Sequence, residues 1–280
     1  MNFLIKIGEY NSLEVIKETN FGFYLGEKDG NEEILIPKGN IIDTLEVGDI
    51  KKFFVYRDSE DRPVATMKNP VAKVGDIASL KVVSKTKIGF FVDIGLEKDV
   101  LVPFREITYP IDVNKSYMFY VYLDKTGRIA ATPRIDKKLQ YFSPYKVGEK
   151  VTATVYDFSE NGSALVGVEN TYRGLILKSE YFTRLRKGEV VTAKVKKIYE
   201  DGTLSLSMRL NTIREERVSL EDKILEYLKS HDGVMAYCDK SSPEAIRNEF
   251  QTSKNYFKNA LGGLMKKKLI RQDNEHTYLL

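Results

Sequence analysis

One pattern is written three times along this chain of 280 residues. Val47-Gly48-Asp49, Val74-Gly75-Asp76 and Val147-Gly148-Glu149 are the same turn, and Lys187-Gly188-Glu189 repeats it. Phe21-Gly22-Phe23-Tyr24-Leu25 aligns with Ile88-Gly89-Phe90-Phe91-Val92, and Asn161-Gly162-Ser163-Ala164-Leu165 reads as a degraded third version. A short apolar segment follows each, at 34–37, 100–103 and 174–177. Each copy then ends on a last strand-like run, at 62–66, 128–132 and 203–208. Units of roughly 65–70 residues stand near the lower limit for a self-sufficient core, so the repeat fixes the architecture before any single residue does.

Within the second copy, β-branched and aromatic residues alternate in five short runs, at 77–83, 87–94, 99–103, 117–123 and 128–132. Five short strands in so few residues suit a closed Greek-key barrel, which leaves no long free edge. Gly22, Gly89 and Gly162 fall where the second strand must bend around a barrel corner. Strict alternation puts Ile88, Phe90 and Val92 on one face and Phe91 on the other; a bulge at Gly89 would change that parity.

No apolar run approaches the ~20 residues needed to span a bilayer, so no membrane partner is expected. The apolar stretch within residues 1–6 is too short for a secretion signal. Cys238 is the single cysteine and excludes an intrachain disulfide, which fits a cytoplasmic protein. The net charge of +4 is unevenly spread. Residues 1–70 carry −4, residues 71–140 +4, residues 141–212 +3 and residues 213–280 +1. An anionic partner would prefer the middle of the chain, although differences of this size also serve solubility alone.

The order Val-Gly-Asp, Phe-Gly-x-x-Val, a short apolar strand and Gly-Arg-Ile-x-x-Thr resembles the S1-type oligonucleotide-binding (OB) fold, in three copies over about 4–210. The resemblance implies single-stranded RNA binding. Physical chemistry supplies the reason: bases stack on aromatic rings while flanking cations meet phosphates. The family's two stacking positions fall on Phe21 and Tyr24 in the first copy and on Ile88 and Phe91 in the second. In the third they fall on Asn161 and Ala164. Its arginine near the last strand falls on Arg62, Arg128 and Thr203. Its frequent histidine after the third strand is replaced by Pro37, Pro103 and Leu177. The second copy is the best single RNA site, with Phe91 beside Lys81, Lys85, Lys87, Arg105 and Arg128. The third keeps Lys194, Lys196 and Lys197 and reads as a spacer or a phosphate-tracking surface. Aromatics in barrel strands are more often core than platform, and surface lysines more often serve solvation.

After Met208 the period changes. A helix starts at Ser219, with Ile224, Leu225, Tyr227 and Leu228 at helical spacing. Ser241-Ser242-Pro243-Glu244 starts a second, with a serine cap and proline in the first turn. Thr252-Ser253 starts a third, whose buried stripe is Tyr256, Phe257, Ala260, Leu261, Leu264 and Met265. Two strands, 269–271 and 277–280, follow it. Three helices and a hairpin over 219–280 resemble a winged helix. Such a domain can set its third helix in a DNA major groove, here through Lys254, Asn255 and Lys258, with Arg271 on the hairpin and Lys266-Lys267-Lys268 beyond. It can equally bind protein or only pack internally. Gly262-Gly263 inside the third helix marks either a close approach or a break.

His231 and His276 lack ligand partners at metal spacing, Cys238 has no catalytic context, and no Gly-rich phosphate loop is present. No catalysis, cofactor or metal is expected. Three S1-like barrels (1–70, 71–140, 141–212) and a winged helix (213–280) resemble the conserved virulence factor B family of bacterial RNA-binding regulators. That resemblance implies a non-catalytic protein that binds single-stranded RNA and regulates gene expression. A DNA-binding regulator using the winged helix, or a scaffold on the ribosome or RNA polymerase, are the alternatives. Weak barrels in series gain avidity when one strand reaches several of them, with linkers near 70–74, 133–147 and 209–219 setting the geometry.

Overall fold

The computed structural model describes residues 5–27, 32–210 and 213–280. Residues 1–4, within the segment weighed as a secretion signal, and 211–212, within the expected linker 209–219, lie outside the described residues. The first barrel is built from β1 (Tyr10–Thr19), β2 (Gly22–Gly26), β3 (Glu33–Pro37), β4 (Ile50–Arg57) and β5 (Pro63–Thr66). The second uses β6 (Ile77–Lys85), β7 (Gly89–Asp93), β8 (Val100–Pro103), β9 (Ser116–Leu123) and β10 (Ile129–Thr132). The third uses β11 (Lys150–Phe158), β12 (Ala164–Val168), β13 (Tyr172–Ile176), β14 (Val190–Ile198) and β15 (Leu204–Ser207). Each closes in one order: strands one, two, three, five, four, and back to one. The third and fifth strands pair in parallel and every other pair is antiparallel.

The first strand of each barrel serves two partners, the second strand with one half and the fourth with the other. It bends between them at a bulge that recurs at Val15/Lys17, Val82/Ser84 and Val155/Asp157. The extra residue sharpens the local twist and lets a short sheet close. The bulge therefore lies on the first strand and not at Gly89. The inner faces hold the apolar sets, with Leu13, Phe53 and Val55 in the first barrel, Leu80, Phe90 and Phe119 in the second, and Val155, Val166 and Leu206 in the third.

Gly22 and Gly89 are required by close approach. A Cβ on them would sit 2.0 Å from the Ile36 carbonyl oxygen and 2.2 Å from that of Val102. Gly162 is not their counterpart. Phe23 faces Ile36, Phe90 faces Val102 and Ala164 faces Ile176, so the turn into β12 holds one residue more. In an antiparallel ladder a one-residue slip exchanges the faces. The third-barrel counterpart of Tyr24 and Phe91 is thus Leu165, opposite Leu175 as they are opposite Leu35 and Leu101. Ala164, the position expected to match them, is buried in the core.

The connectors are packed. Ala72 joins the second barrel's core, and the Val71 and Val74 amides donate to the carbonyls of Ile94 and Gly8. Buried Phe54, Tyr56 and Val64 of the first barrel pack with Leu96 and Ile129 of the second. Ile135 and Leu139, in the expected linker 133–147, are buried with Met118 and Tyr156 of the second and third barrels. The Tyr156 hydroxyl donates to Asp136 at 2.8 Å. Burial, and then that bond to the carboxylate, push the phenol well above its ordinary value.

The C-terminal unit comprises α1 (Ile213–Ser230), β16 (Val234–Met235), α2 (Pro243–Phe250), α3 (Lys254–Lys266), β17 (Ile270–Gln272) and β18 (Thr277–Leu279). α1 begins six residues before the expected start at Ser219, inside the segment read as a linker. The sheet order is β16-β18-β17, so a short strand not anticipated from sequence extends the hairpin. Ser242 caps α2 by accepting from the Ala245 amide, and Ser253 caps α3 by accepting from that of Tyr256. Gly263 marks a close approach: a Cβ there would lie 2.1 Å from Glu221 Oε1 on α1. Gly262 faces open space. No helix among the described residues is long and apolar enough to cross a membrane.

Candidate nucleic-acid interface

Alternation along β7 buries Phe90 and Val92 and turns Phe91 outward, where its ring is half-buried. Leu101 faces it from β8. The two sit in a groove of about 220 Å³ whose walls include Ile88, Lys98, Arg105 and Arg128. The first barrel closes one end with Tyr56 and Arg57. Four cations, Arg57, Lys98, Arg105 and Arg128, thus line the groove with two acids, Asp99 and Asp124. Burial and the charge of Asp93 push the Asp99 carboxyl up. Burial also raises that of Asp124, but bonds from the Thr126 hydroxyl and the backbone amides of Arg128 and Thr126 outweigh it and hold it low. An apolar ring flanked by cations can stack a base while its phosphates are neutralised.

The expected cluster is therefore gathered in part. Phe91, Arg105 and Arg128 share the groove. Lys85 instead points at the rings of Phe90 and Phe104, at 5.6 and 5.9 Å. Lys87 is exposed in the turn before β7 and does not line the groove. Arg128 is held by Asp61 of the first barrel at 2.8 Å. That bond pulls the Asp61 carboxyl below its ordinary range. Sequence reasoning missed Lys98, Leu101, Tyr56 and Arg57. Leu101 was recoverable from strand pairing; Tyr56 and Arg57 come from another repeat and carried no signal.

The first barrel is equipped differently. Phe21 is 78% exposed in the β1–β2 turn, the position Ile88 holds at 60% exposure. Tyr24 is half-buried beneath Lys17, whose Nζ lies 4.5 Å from the ring centre and also bonds Glu33. Arg62 is engaged by Asp58 and Glu60, both at 2.7 Å. The barrel's acids thus occupy its arginine, in keeping with its charge of −4.

In the third barrel Lys196 bonds nearly buried Glu180 at 2.6 Å, and Lys194 lies in the ladder opposite Lys150. Neither lines the groove beside Leu165; Lys197 does, because the bulge at Val195/Lys197 shifts its register. In the C-terminal unit Lys254 donates to the Lys240 carbonyl at 3.3 Å, and Lys258 lies 4.0 Å from Asp239. Asn255 is exposed. Arg271 stacks on Tyr278 at 4.0 Å on the hairpin. Lys267 is bonded to Glu221.

Three closed five-stranded barrels of S1 type and a winged helix define a multidomain nucleic-acid-binding protein. Residues 7–68 and 74–134 match the S1 domain family, 143–210 the second domain of the virulence regulatory factor CvfB, and 222–279 the CvfB-like winged helix domain. The chain is 33% identical to uncharacterized protein YitL of Bacillus subtilis, covering 97% of this chain and 93% of that one. It is 28% identical to conserved virulence factor B of Staphylococcus epidermidis, over 94% of this chain and 91% of that one. A crystal structure of a multidomain protein with nucleic acid binding domains from Streptococcus pneumoniae is 28% identical, covers 98% of both chains and has a TM-score of 0.50. The chain belongs to the conserved virulence factor B family.

Proposed function

We propose that this protein binds single-stranded RNA without catalysis and regulates gene expression after transcription, with the second barrel as its principal site. The supporting observation is the Phe91 groove, where one outward ring and four cations converge. An outward ring suits an unpaired base better than duplex DNA, whose base faces are already stacked on one another. The winged helix is a weaker candidate reader, since residues 213–280 carry a net charge of only +1 against +4 for residues 71–140.

The test is fluorescence anisotropy with labelled single-stranded RNA, single-stranded DNA and duplex DNA at two salt concentrations. RNA is expected to bind best, with affinity falling as salt rises. Phe91→Ala should cost about 1–3 kcal/mol, the worth of one stacked base. Tightest binding to duplex DNA, unchanged by Phe91→Ala and lost on substituting α3, would overturn the proposal in favour of the winged helix.

A further inference from the structure

The third barrel lacks a ring at the Phe91 position, yet its groove is not bare. Leu165 and Leu175 form the floor in the register of Phe91 and Leu101. Around them Arg173, Lys197 and Tyr199 line a cavity of about 650 Å³ together with Glu200, Asp201 and Thr203. Two further rings reach this rim from outside the barrel, from the segment that joins it to the second.

That segment is pinned to the barrel by its backbone. Gln140 bridges Tyr172 in parallel, its amide donating to the Thr171 carbonyl at 2.8 Å and its carbonyl accepting from the Arg173 amide at 2.9 Å. Tyr141 follows. Its hydroxyl accepts from the Arg173 guanidinium at 3.3 Å, and the guanidinium lies 5.6 Å from the ring centre. Phe142 is next and is the anomaly. Its ring is 75% exposed and its backbone is left-handed, with φ of 57°. A bulky residue rarely adopts that conformation, and an exposed ring recovers nothing for the fold in return. The neighbouring turn accommodates it: a Cβ on Gly202 would lie 2.5 Å from the Phe142 amide nitrogen and 2.8 Å from its ring. Gly202 belongs to the turn whose Glu200, Asp201 and Thr203 line the cavity.

We infer that Tyr141 and Phe142 form a stacking platform for unpaired bases on the rim of the third barrel, with Lys197 meeting the phosphates and Arg173, paired with Asp136 at 3.1 Å, holding the Tyr141 ring in place. A single exposed phenylalanine is ordinary on a protein surface. Here a strained backbone, an accommodating glycine and the cation Lys197, with the Asp136-paired Arg173 beside it, accompany it. The occupant is a single strand because every base offers a π-face to stack on an exposed ring, and its phosphates suit the cation beside that ring. The inference rests on the reading that the barrels bind single strands, and it adds a second site to the one at Phe91.

The experiment uses the full chain and labelled 20-nucleotide oligouridine and oligothymidine, read by anisotropy for wild type, Phe142→Ala, Phe142→Trp and Phe91→Ala. Phe142→Ala should weaken binding at least fivefold, within the range of about 5- to 150-fold for one stacked base, and Phe142→Trp should restore it. Circular dichroism should show all four proteins folded. Unchanged affinity in Phe142→Ala, with a loss in Phe91→Ala, overturns this platform and leaves the second-barrel site standing. A loss in Phe142→Ala with none in Phe91→Ala does the reverse. A loss seen on oligothymidine, with oligouridine bound poorly by wild type, supports the platform and overturns the RNA assignment. Absence of binding by wild type to either strand overturns both.

Discussion

Truncating Ile135 to alanine asks whether the second and third barrels are welded or strung. The side chain is fully buried against Met118, Leu139 and Tyr156, although it belongs to the connector. The substitution removes three carbons. At about 0.8 kcal/mol per buried methylene the transfer loss is about 2.4 kcal/mol. The cavity left behind adds to this, within the observed range of about 2–5 kcal/mol for such truncations. A loose tether would lose no more than about 0.5 kcal/mol. For a cooperative unit of two barrels, each kcal/mol moves the midpoint by roughly 3–5 °C, so a fall of about 7–25 °C is expected. Differential scanning calorimetry reads it directly; the chain has 17 tyrosines and no tryptophan, so tyrosine fluorescence is the optical check. Lys137→Ala, at an exposed position two residues along, is the control. Midpoints for Ile135→Ala and Lys137→Ala within about 2 °C of each other would show that the connector is not packed between barrels.

Gly262→Ala should stabilise the C-terminal unit by about 0.5–1 kcal/mol, because it gains helix propensity in open space, whereas Gly263→Ala should show no such gain against Glu221; equal effects in urea denaturation would count against the close approach. Gly89→Ala should destabilise the second barrel by about 1–3 kcal/mol, since the obstacle is the Val102 carbonyl and not a flexible side chain; an unchanged denaturation midpoint would contradict this. Asp61→Asn should lower the thermal midpoint at pH 7, and the gap should narrow as the pH falls below the ordinary carboxylate range. The folded carboxyl is held below its ordinary value by Arg128, so its contribution is present above the unfolded pKa and is lost as pH falls through the folded one. Asparagine tolerates the left-handed backbone of this position, so a midpoint gap that does not narrow with falling pH would point away from the ion pair.

The barrels were legible because their determinants are local and repeated. The alternation in 77–83 and 117–123 and the Ser242-Pro243 and Ser253 starts act within a few residues, and each appears as an element where expected; the Val-Gly-Asp turns also recur, but 47–49 leads into the fourth strand of its barrel whereas 74–76 leads into the first. What escaped was register and contact. The turn into β12 carries one extra residue, and no composition rule marks it; only the pairing of Ala164 with Ile176 shows the slip. The connectors escaped for a similar reason. Ile135 and Leu139 stand four apart among charged residues, too short a pattern to distinguish a buried turn from a polar linker. α1 was read as starting late because its first turns, 213–219, are mostly charged.

The grooves were the least legible features because they are not properties of single repeats. Reading each copy alone gave Phe91, Arg105 and Arg128 but not Arg57 or Tyr56, which the first barrel adds to the second barrel's groove. The point of donation recurs. The turn between the last two strands is left-handed in every barrel, at Asp61, Gly127 and Gly202. Arg57 of the first barrel donates to the Gly127 carbonyl, and Phe142 of the next connector rests on Gly202. Each later barrel thus receives a rim from whatever precedes it in the chain. Loss of a strand aromatic, as at Leu165, then says little about whether a barrel can still stack a base, because the ring can arrive from the neighbour. If the Phe142 platform binds as proposed, judging a repeat by its own motif undercounts the sites of an array whose members are packed together.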